Sequence, residues 1–537
     1  MASLTSRPKN RAYGAVAGVV SAGVGVGVAQ LVAGIFNPEA SPMAAAGQTF
    51  VDATPEWLKS FAIRAFGARD KFALLTGMAV VIAVLAAALG VASVRRLRIG
   101  LAGIGSLTLA GLACVSSRPG ARPLDVLPTI GGGLAAGFTL VKLHARLLQL
   151  PSAAATGVAG EAGEAAPFDS SDTGAAEAAQ TQDLDRRGFL LASGLGAVAA
   201  FVAGGLGWLL SGRSAANLSR AEVRIPHPVS PLPSPPLGTD LHVPGLSPFI
   251  SPADAFFKVD TALVTQSVTA ENWRLHIHGM VGKEVTLGYQ DLLARPLVER
   301  DITIACVSNP VGGDYIGNAR WVGVLLAPIL EEAGVAPEAT QIVTRSVDGF
   351  TIGTPTAVVM DGRDAMLAVA MNGEPLPLGH GFPVRMIVPG LFGYVSAMKW
   401  LTDMELSTFE AFNAYWVRQG WAQQAPVITE SRIDTPWSGA TLHTGEVPIA
   451  GVAWAPHTGI ASVEVQVDDG PWLPAELAVQ DGVDIWRMWV HRWIAPAGTH
   501  TLKVRATDQT GYTQTPVEAP PFPRGATGLH TITVKVA

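Results

Sequence analysis

The chain is 537 residues long, 49% hydrophobic and only 15% charged, which is too long for one domain and too apolar for a protein lying wholly in water. A formal net charge of −6, with no Lys/Arg run interleaved with aromatics, excludes nucleic acid as a partner. Of the two cysteines, Cys114 lies in an apolar stretch and Cys306 in a distant polar region, so no disulfide is expected between them and Cys306 needs its own explanation.

Crossing a bilayer takes about 17–25 apolar residues. Five stretches qualify in chain order, at residues 12–36, 72–94, 99–117, 126–141 and 188–211. The fourth is short and carries Gly131, Gly132, Gly133 and Gly137; it is read as a span, with a buried re-entrant segment as the alternative. Residues 1–147 thus form a four-helix transmembrane region. Arg7, Lys9 and Arg11 precede the first span, Arg95, Arg96 and Arg98 separate the second from the third, and Arg186 and Arg187 precede the fifth. These clusters share one side, which the positive-inside rule makes the cytoplasm. The odd number of spans then puts everything after Ser211 on the extracytoplasmic side of the cell membrane.

Residues 148–184 are rich in Ala, Gly, Glu and Ser without apolar periodicity, and are expected to be a disordered cytoplasmic linker. The fifth transmembrane helix, within residues 185–212, begins Asp185-Arg186-Arg187-Gly188-Phe189-Leu190, which resembles the core of a twin-arginine export signal. The plainer reading is two arginines obeying the positive-inside rule. Residues 213–245 form a second linker, whose prolines between Pro226 and Pro244 favour a stiff polyproline II spacer.

Residues 246–412 mix strand and helix. The run 273–278 alternates as a strand does, and 325–333 reads as an amphipathic helix closed by Gly334. An apolar run at 302–305 leads into Cys306, so the thiol sits where a strand gives way to a loop. A lone Cys in that setting is commonly a small core residue; its neighbours change the reading. Residues 413–537 read as all-β, with alternating runs at 463–467, 486–493 and 501–505 and turns at Asp468-Asp469-Gly470 and Pro496-Ala497-Gly498. That pattern suits an immunoglobulin-like β-sandwich.

The segments 273–281, 306–309, 318–323, 371–377, 380–385, 388–390 and 399–401 follow one another in an order that resembles the molybdopterin domain of the sulfite oxidase family. That family also contains plant nitrate reductases and bacterial sulfoxide reductases. The block from Met371-Asn372-Gly373-Glu374 to Leu401 is the most specific part, and the resemblance runs from about residue 240 to the C-terminus. It implies a multi-domain fold: an N-terminal transmembrane helix bundle, an α+β sulfite-oxidase-type molybdopterin domain, and a C-terminal immunoglobulin-like β-sandwich through which homodimers form. It also implies a mononuclear molybdenum–molybdopterin cofactor with one pyranopterin, and makes Cys306 the thiolate ligand of the metal. A soft thiolate suits such a metal.

By the same resemblance, His380 and Arg385 match residues that bind the pterin and its phosphate, Arg385 having the fork geometry for a bidentate contact. Ser396 to Lys399 correspond to a stretch offering backbone donors and a lysine, with one extra residue here. Phe256, Phe257, Lys258 and Val259 match the segment at the pterin's entry. Taken singly, each has an ordinary structural use, as a turn cap, a solvated charge or core; it is their order with Cys306 that points to a site. The departures bear on substrate. The family's sulfite-binding arginine falls at Val259, a tyrosine near the metal falls at Gly349-Phe350, and arginines after the cysteine fall at Pro310 and Val311. Arg320 and Arg432 remain as candidate catalytic contacts to an anionic substrate, with ion pairing elsewhere as the alternative.

The activity so implied is two-electron oxygen-atom transfer on a small extracytoplasmic substrate, sulfite-like or another sulfur compound. Electrons would pass to a separate electron-transfer protein or membrane redox partner. No Cys-x-x-Cys-His motif or cysteine cluster occurs and His144 stands alone near a span's end, so neither haem nor iron–sulfur is expected. Two alternatives stand beside this: a sulfoxide-reductase-direction enzyme fed from the membrane, and a membrane-tethered non-catalytic binding or assembly protein. Retention of Cys306, His380 and Arg385 speaks against the last.

Overall fold

The computed structural model describes residues 8–55, 58, 61, 65–66, 70–119, 121–148, 173–211 and 215–537, with the backbone alone at 8–10, 70 and 173–186. The chain divides into two units, one of Met1–Ser214 with Thr261–Ser267 and the other of Ala215–Asp260 with Val268–Ala537.

Among the described residues, five helices of the first unit are long and apolar enough to cross a membrane: Pro8–Phe36, Asp70–Arg95, Leu97–Ser116, Leu127–Leu148 and Thr173–Ser211. Where lipid is the solvent, small residues belong at helix contacts because they let backbones approach. A Cβ on Gly18 would lie 1.9 Å from the Ala86 carbonyl oxygen, one on Gly25 2.8 Å from that of Gly132, and one on Gly34 2.3 Å from that of Gly207. The first helix is therefore in backbone contact with the second, fourth and fifth. The glycines that shorten the apolar pattern of the fourth stretch are what seat it, and it forms one continuous helix extending to Leu148.

Of the linker expected at 148–184, residues 149–172 lie outside the described residues. Residues 173–184 are helical, continuous with the fifth span in a helix of 39 residues. Alanine, glutamate and glutamine in this part are good helix formers, and extending an existing helix avoids the cost of nucleation. Between the first two spans the structure adds a 3₁₀ turn, Pro38–Ala40, and a helix, Pro42–Ala53. Within the same unit Ser267 N donates to Glu39 Oε1, Leu263 N to Gln48 Oε1 at 3.2 Å, and Lys71 Nζ to the Ala262 carbonyl at 2.6 Å.

The second unit is built mainly of strands. In chain order the first ten are β1 (Arg274–Gly279), β2 (Val285–Gly288), β3 (Leu297–Ala305), β4 (Ile316–Leu325), β5 (Gln341–Ser346), β6 (Thr351–Pro355), β7 (Met366–Met371), β8 (Glu374–Pro375), β9 (Arg385–Ile387) and β10 (Leu401–Ser407). They form one sheet in the order β2-β1-β10-β5-β6 and another in the order β3-β4-β7-β8, with β9 paired to β7. Alternate side chains such as Leu275, Ile277, Ile302 and Trp321 enter one shared core. The helix Leu326–Ala333 ends at Gly334, whose φ of +69° suits glycine.

The remaining strands are β11 (Glu430–Thr435), β12 (Thr441–Leu442), β13 (Gly445–Trp454), β14 (Ile460–Val467), β15 (Trp472–Pro474), β16 (Glu476–Leu477), β17 (Arg487–Ala495), β18 (Gly498–Asp508) and β19 (Thr531–Val536). Two sheets, β11-β13-β17-β16 and β12-β19-β18-β14-β15, share a core of Ile449, Val465, Trp489, Leu502 and Val534, which makes this region a β-sandwich.

The proline-rich stretch does not stand free as a spacer. Val229 N donates to the Leu297 carbonyl at 2.8 Å, Glu299 N to that of Ser230 at 3.0 Å, and Val479 N to that of Gly238 at 3.0 Å. Ser230 thus bridges the edge of β3 and Gly238 bonds to the sandwich. Prolines, which cannot donate, are tolerated in such an edge position. A helix, Ala215–Glu222, precedes the stretch.

Candidate active site

β3 ends at Ala305, and the next residue begins a tight loop. Cys306 N donates to the Tyr315 carbonyl at 2.9 Å, Asn309 N to the Cys306 carbonyl at 3.1 Å, and Tyr315 N to Asn309 Oδ1 at 2.8 Å. Asn309 therefore ties the two ends of the loop together, while its own Nδ2 is buried without a partner. The loop is braced from behind by the sandwich: Arg432 Nη1 donates to the Gly313 carbonyl at 2.8 Å, and a Cβ on Gly312 would fall 2.1 Å from the His530 ring. Burial pushes the Cys306 thiol pKa up, with hydrogen bonds at Ser308 and the charge of Lys399 pulling the other way. Left to itself the thiol stays protonated, and a bound cation would hold it as thiolate.

A set of cations surrounds His380, which lies in the 3₁₀ turn Leu378–His380. Its Nε2 is 2.8 Å from the Ala253 carbonyl oxygen. Burial first, and then the charge of Arg385, bring its pKa down to about 4, so the ring is neutral at pH 7. A carbonyl can only accept, so Nε2 carries the proton and Nδ1 is left as an acceptor.

Arg385 opens β9 and is 4% exposed. Burial lowers its pKa to about 10, which still leaves it charged at neutral pH. Its Nη1 reaches the His380 carbonyl at 3.2 Å, its guanidinium stands 5.1 Å over the Trp321 ring, and its Nε has no hydrogen-bond partner. Among the described residues no carboxylate lies within ion-pair distance of it. A buried guanidinium without a counter-anion is costly unless an anion arrives from outside the chain.

Lys399 pairs with Asp260 and donates to the Gly379 carbonyl at 3.2 Å. Lys258 flanks the same glycine, whose Cβ would lie 3.6 Å from the lysine's Cδ and Cε, and its charge also acts on His380. Phe256 packs edge-on to both His380 and Trp321 and stacks on Phe257 at 5.2 Å. The neighbourhood thus holds more positive than negative charge, as a phosphate-bearing ligand requires.

The other expected positions fall differently. Ser396 ends the short helix Gly393–Ser396, and its hydroxyl donates back to the Leu391 and Phe392 carbonyls. Val259 is 45% exposed. Arg320 is not brought to the cation cluster as a free guanidinium: it binds Asp301 through Nε at 2.9 Å and Nη2 at 3.0 Å, the two residues being cross-strand partners in β3 and β4. Arg432 is held by Asp434, Ser247 and Gly313. Each fork is thus engaged by a nearby carboxylate, the ion pairing that stands as the alternative to a substrate contact. Sequence reading missed Asp260, Ala253, Asn309, Tyr315 and Trp321, whose roles depend on contacts across strands and loops.

The model of the oxidoreductase molybdopterin binding domain matches residues 262–416. Human mitochondrial sulfite oxidase is 30% identical over 325 residues, covering 51% of this chain and 58% of that protein. A Bacillus subtilis protein described as "Uncharacterized oxidoreductase YuiH" is 35% identical over 149 residues, 28% of this chain and 72% of its own length. The chain belongs to the sulfite oxidase-type molybdopterin oxidoreductases.

The chain spans just over half the length of the human and mouse sulfite oxidases, 58% of each. Among solved structures, the sulfane dehydrogenase SoxCD from Paracoccus pantotrophus is similar, at 26% identity over 53% of this chain and 81% of that one, with a TM-score of 0.47. The Cys306 loop and the cations around His380 all lie in, or within ten residues of, the matched span of this oxidoreductase.

Proposed function

We propose that this oxidoreductase is a membrane-anchored enzyme that transfers oxygen atoms to or from a small sulfur compound on the extracytoplasmic side, exchanging electrons with a separate redox partner. The observation that carries the site assignment is Arg385: a charged guanidinium, buried, with an unpartnered Nε and no carboxylate at contact distance. Arg385 would receive the phosphate of the pterin cofactor, with Lys399 and Lys258 adding charge and neutral His380 offering Nδ1 to a pterin N–H. Cys306 would bind the molybdenum, held at fixed height by the loop that Asn309 closes. Phe257, Val259 and the backbone near Ser396 would line the cofactor's flanks. When bound, a pterin-held molybdenum supplies two-electron oxygen-atom transfer; the chain orients it and shapes the pocket.

For the substrate, Val259, Phe350 and Pro310 leave the family's cationic and hydroxyl positions apolar, which favours a less charged sulfur compound than sulfite. The orientation is supported by the loop after the first span, whose Glu39 and Gln48 hold residues 263 and 267 of the later chain. That loop and residues 261–267, which belong to the same unit, then share one side, as an odd number of spans requires. The sandwich is read as immunoglobulin-like from its two sheets around a common core.

The test is turnover by the full chain, with sulfite and uncharged sulfur compounds against an artificial acceptor, and with sulfoxides against a reduced dye. The reading expects activity in one direction that Cys306→Ala abolishes. Molybdenum-loaded protein with no activity in either direction would overturn it.

A further inference from the structure

On the outer face of the first sheet, remote in function from the cations just described, strand alternation places two imidazoles together. Leu275 and Ile277 of β1 are fully buried, so His276 and His278 share the opposite face. Their rings stack with centroids 4.5 Å apart and planes 13° from parallel. β10 runs parallel to β1 with His276 opposite Asp403, which brings a carboxylate to the same place. One donor atom from each of His276, His278 and Asp403 lies within 4.8 Å of the other two. A fourth donor stands beside them: Glu284 Oε2 is 3.0 Å from His276 Nε2, while Asp403 Oδ2 is 2.9 Å from His278 Nε2.

We propose that His276, His278 and Asp403, with Glu284 as a fourth ligand, form a binding site for a divalent transition cation of the zinc and copper type. Bond lengths of about 2.0–2.2 Å in a tetrahedral centre put ligand atoms roughly 3.3–3.6 Å apart, so small side-chain rotations suffice for His276, His278 and Asp403, and Glu284, beside His276 and exposed, would swing in to complete the set. Imidazole donors select this borderline class over magnesium and calcium, which take oxygen alone. Arg345 already holds Asp403 through Oδ1 and Glu405 beside it, and so acts as an outer-sphere partner that leaves Oδ2 toward the histidines. The side chains of His276, His278 and Asp403 are 43%, 26% and 26% exposed, enough for a hydrated ion to enter. A bound ion would pin β1 to β10, the strand that follows Lys399 and Trp400 directly.

The ordinary use of these groups is a pair of histidine–carboxylate hydrogen bonds, and one experiment separates the two. Full-length protein purified without a histidine tag is stripped with a chelator and dialysed against zinc chloride, and bound zinc is counted beside molybdenum. The site predicts stoichiometric zinc, an affinity at least about tenfold weaker in His278→Ala and in Asp403→Asn, and no change in His443→Ala. Copper(II) in place of zinc should show spin-resonance coupling to two nitrogens, reduced to one in His276→Ala or His278→Ala. Unchanged molybdenum content reports that each variant is folded. No stoichiometric zinc in the wild type, or zinc binding as tight as the wild type's in His276→Ala and His278→Ala, would overturn the proposal.

Discussion

In the helical unit large apolar side chains face outward and small ones meet inside, whereas in the strand-rich unit the arrangement is reversed. Leu134 and Phe201 are 71% and 83% exposed while Gly18 touches the backbone of Ala86; Leu275, Ile277 and Trp321 are wholly buried. The difference is what two solvents would dictate, lipid around helices long and apolar enough to cross a membrane and water around the strands. Lipid tails are as apolar as leucine and offer no drive to bury it, so close backbone approach decides the packing. Water supplies that drive, and the few charged groups left inside the second unit then stand out. Arg385 is such a group, 4% exposed and with no carboxylate at ion-pair distance among the described residues, and it is where an anion would be accommodated.

The sharpest way to break this contrast is at Cys306. Cys306→Ala should lower turnover by more than about 100-fold, beyond the range usual for outer-sphere partners, with the fold intact by circular dichroism. Next comes Arg385→Met, which should reduce pterin loading by about 10–100-fold, with Arg385→Lys recovering part of it as a charge without the fork. Cofactor release measured by fluorescence of the oxidised pterin checks both.

A smaller effect tests the other unit. Gly18→Leu puts a side chain into the Ala86 carbonyl and should cost the helical unit about 1–3 kcal/mol, seen as a lower unfolding temperature in detergent, with molybdenum content unchanged. Loss of molybdenum in that variant would show that the two packings are not independent. The smallest concerns Glu430, whose carboxyl is pushed up to about 8 by burial. Folding therefore takes up a proton between the ordinary 4.5 and about 8, and the penalty on stability grows as pH rises across that window. Glu430→Gln removes it, and should raise the unfolding temperature by roughly 2–4 °C for each kcal/mol relieved, more at pH 8 than at pH 5.

The order of Cys306 after an apolar run, then His380, Arg385 and Lys399, was legible in the sequence, and the structure sets His380, Arg385 and Lys399 near one another. The five helices long enough and apolar enough to cross a membrane were legible from apolar length alone. What escaped was set by pairing between distant strands. Asp301 lies 19 residues before Arg320 and meets it only through the register of β3 and β4. Asp260 and Trp321 join Lys399 and Arg385 by the same kind of long-range closure. The proline-rich stretch misled for a different reason: its composition fits a free spacer, but the edge of β3 offered Val229 and Ser230 a partner. Residues 173–184 misled because helix propensity mattered more than their lack of an apolar face.

The central claim is that the buried, unpaired guanidinium of Arg385 exists to hold a molybdenum–pterin cofactor near Cys306. It is tested most directly by measuring molybdenum and pterin together in the purified full-length chain and in Arg385→Met. The account predicts stoichiometric amounts of both in the wild type and a large loss of both in the variant. Folded wild-type protein from molybdenum-replete cells that carried neither, or an Arg385→Met variant that kept its full complement, would contradict it.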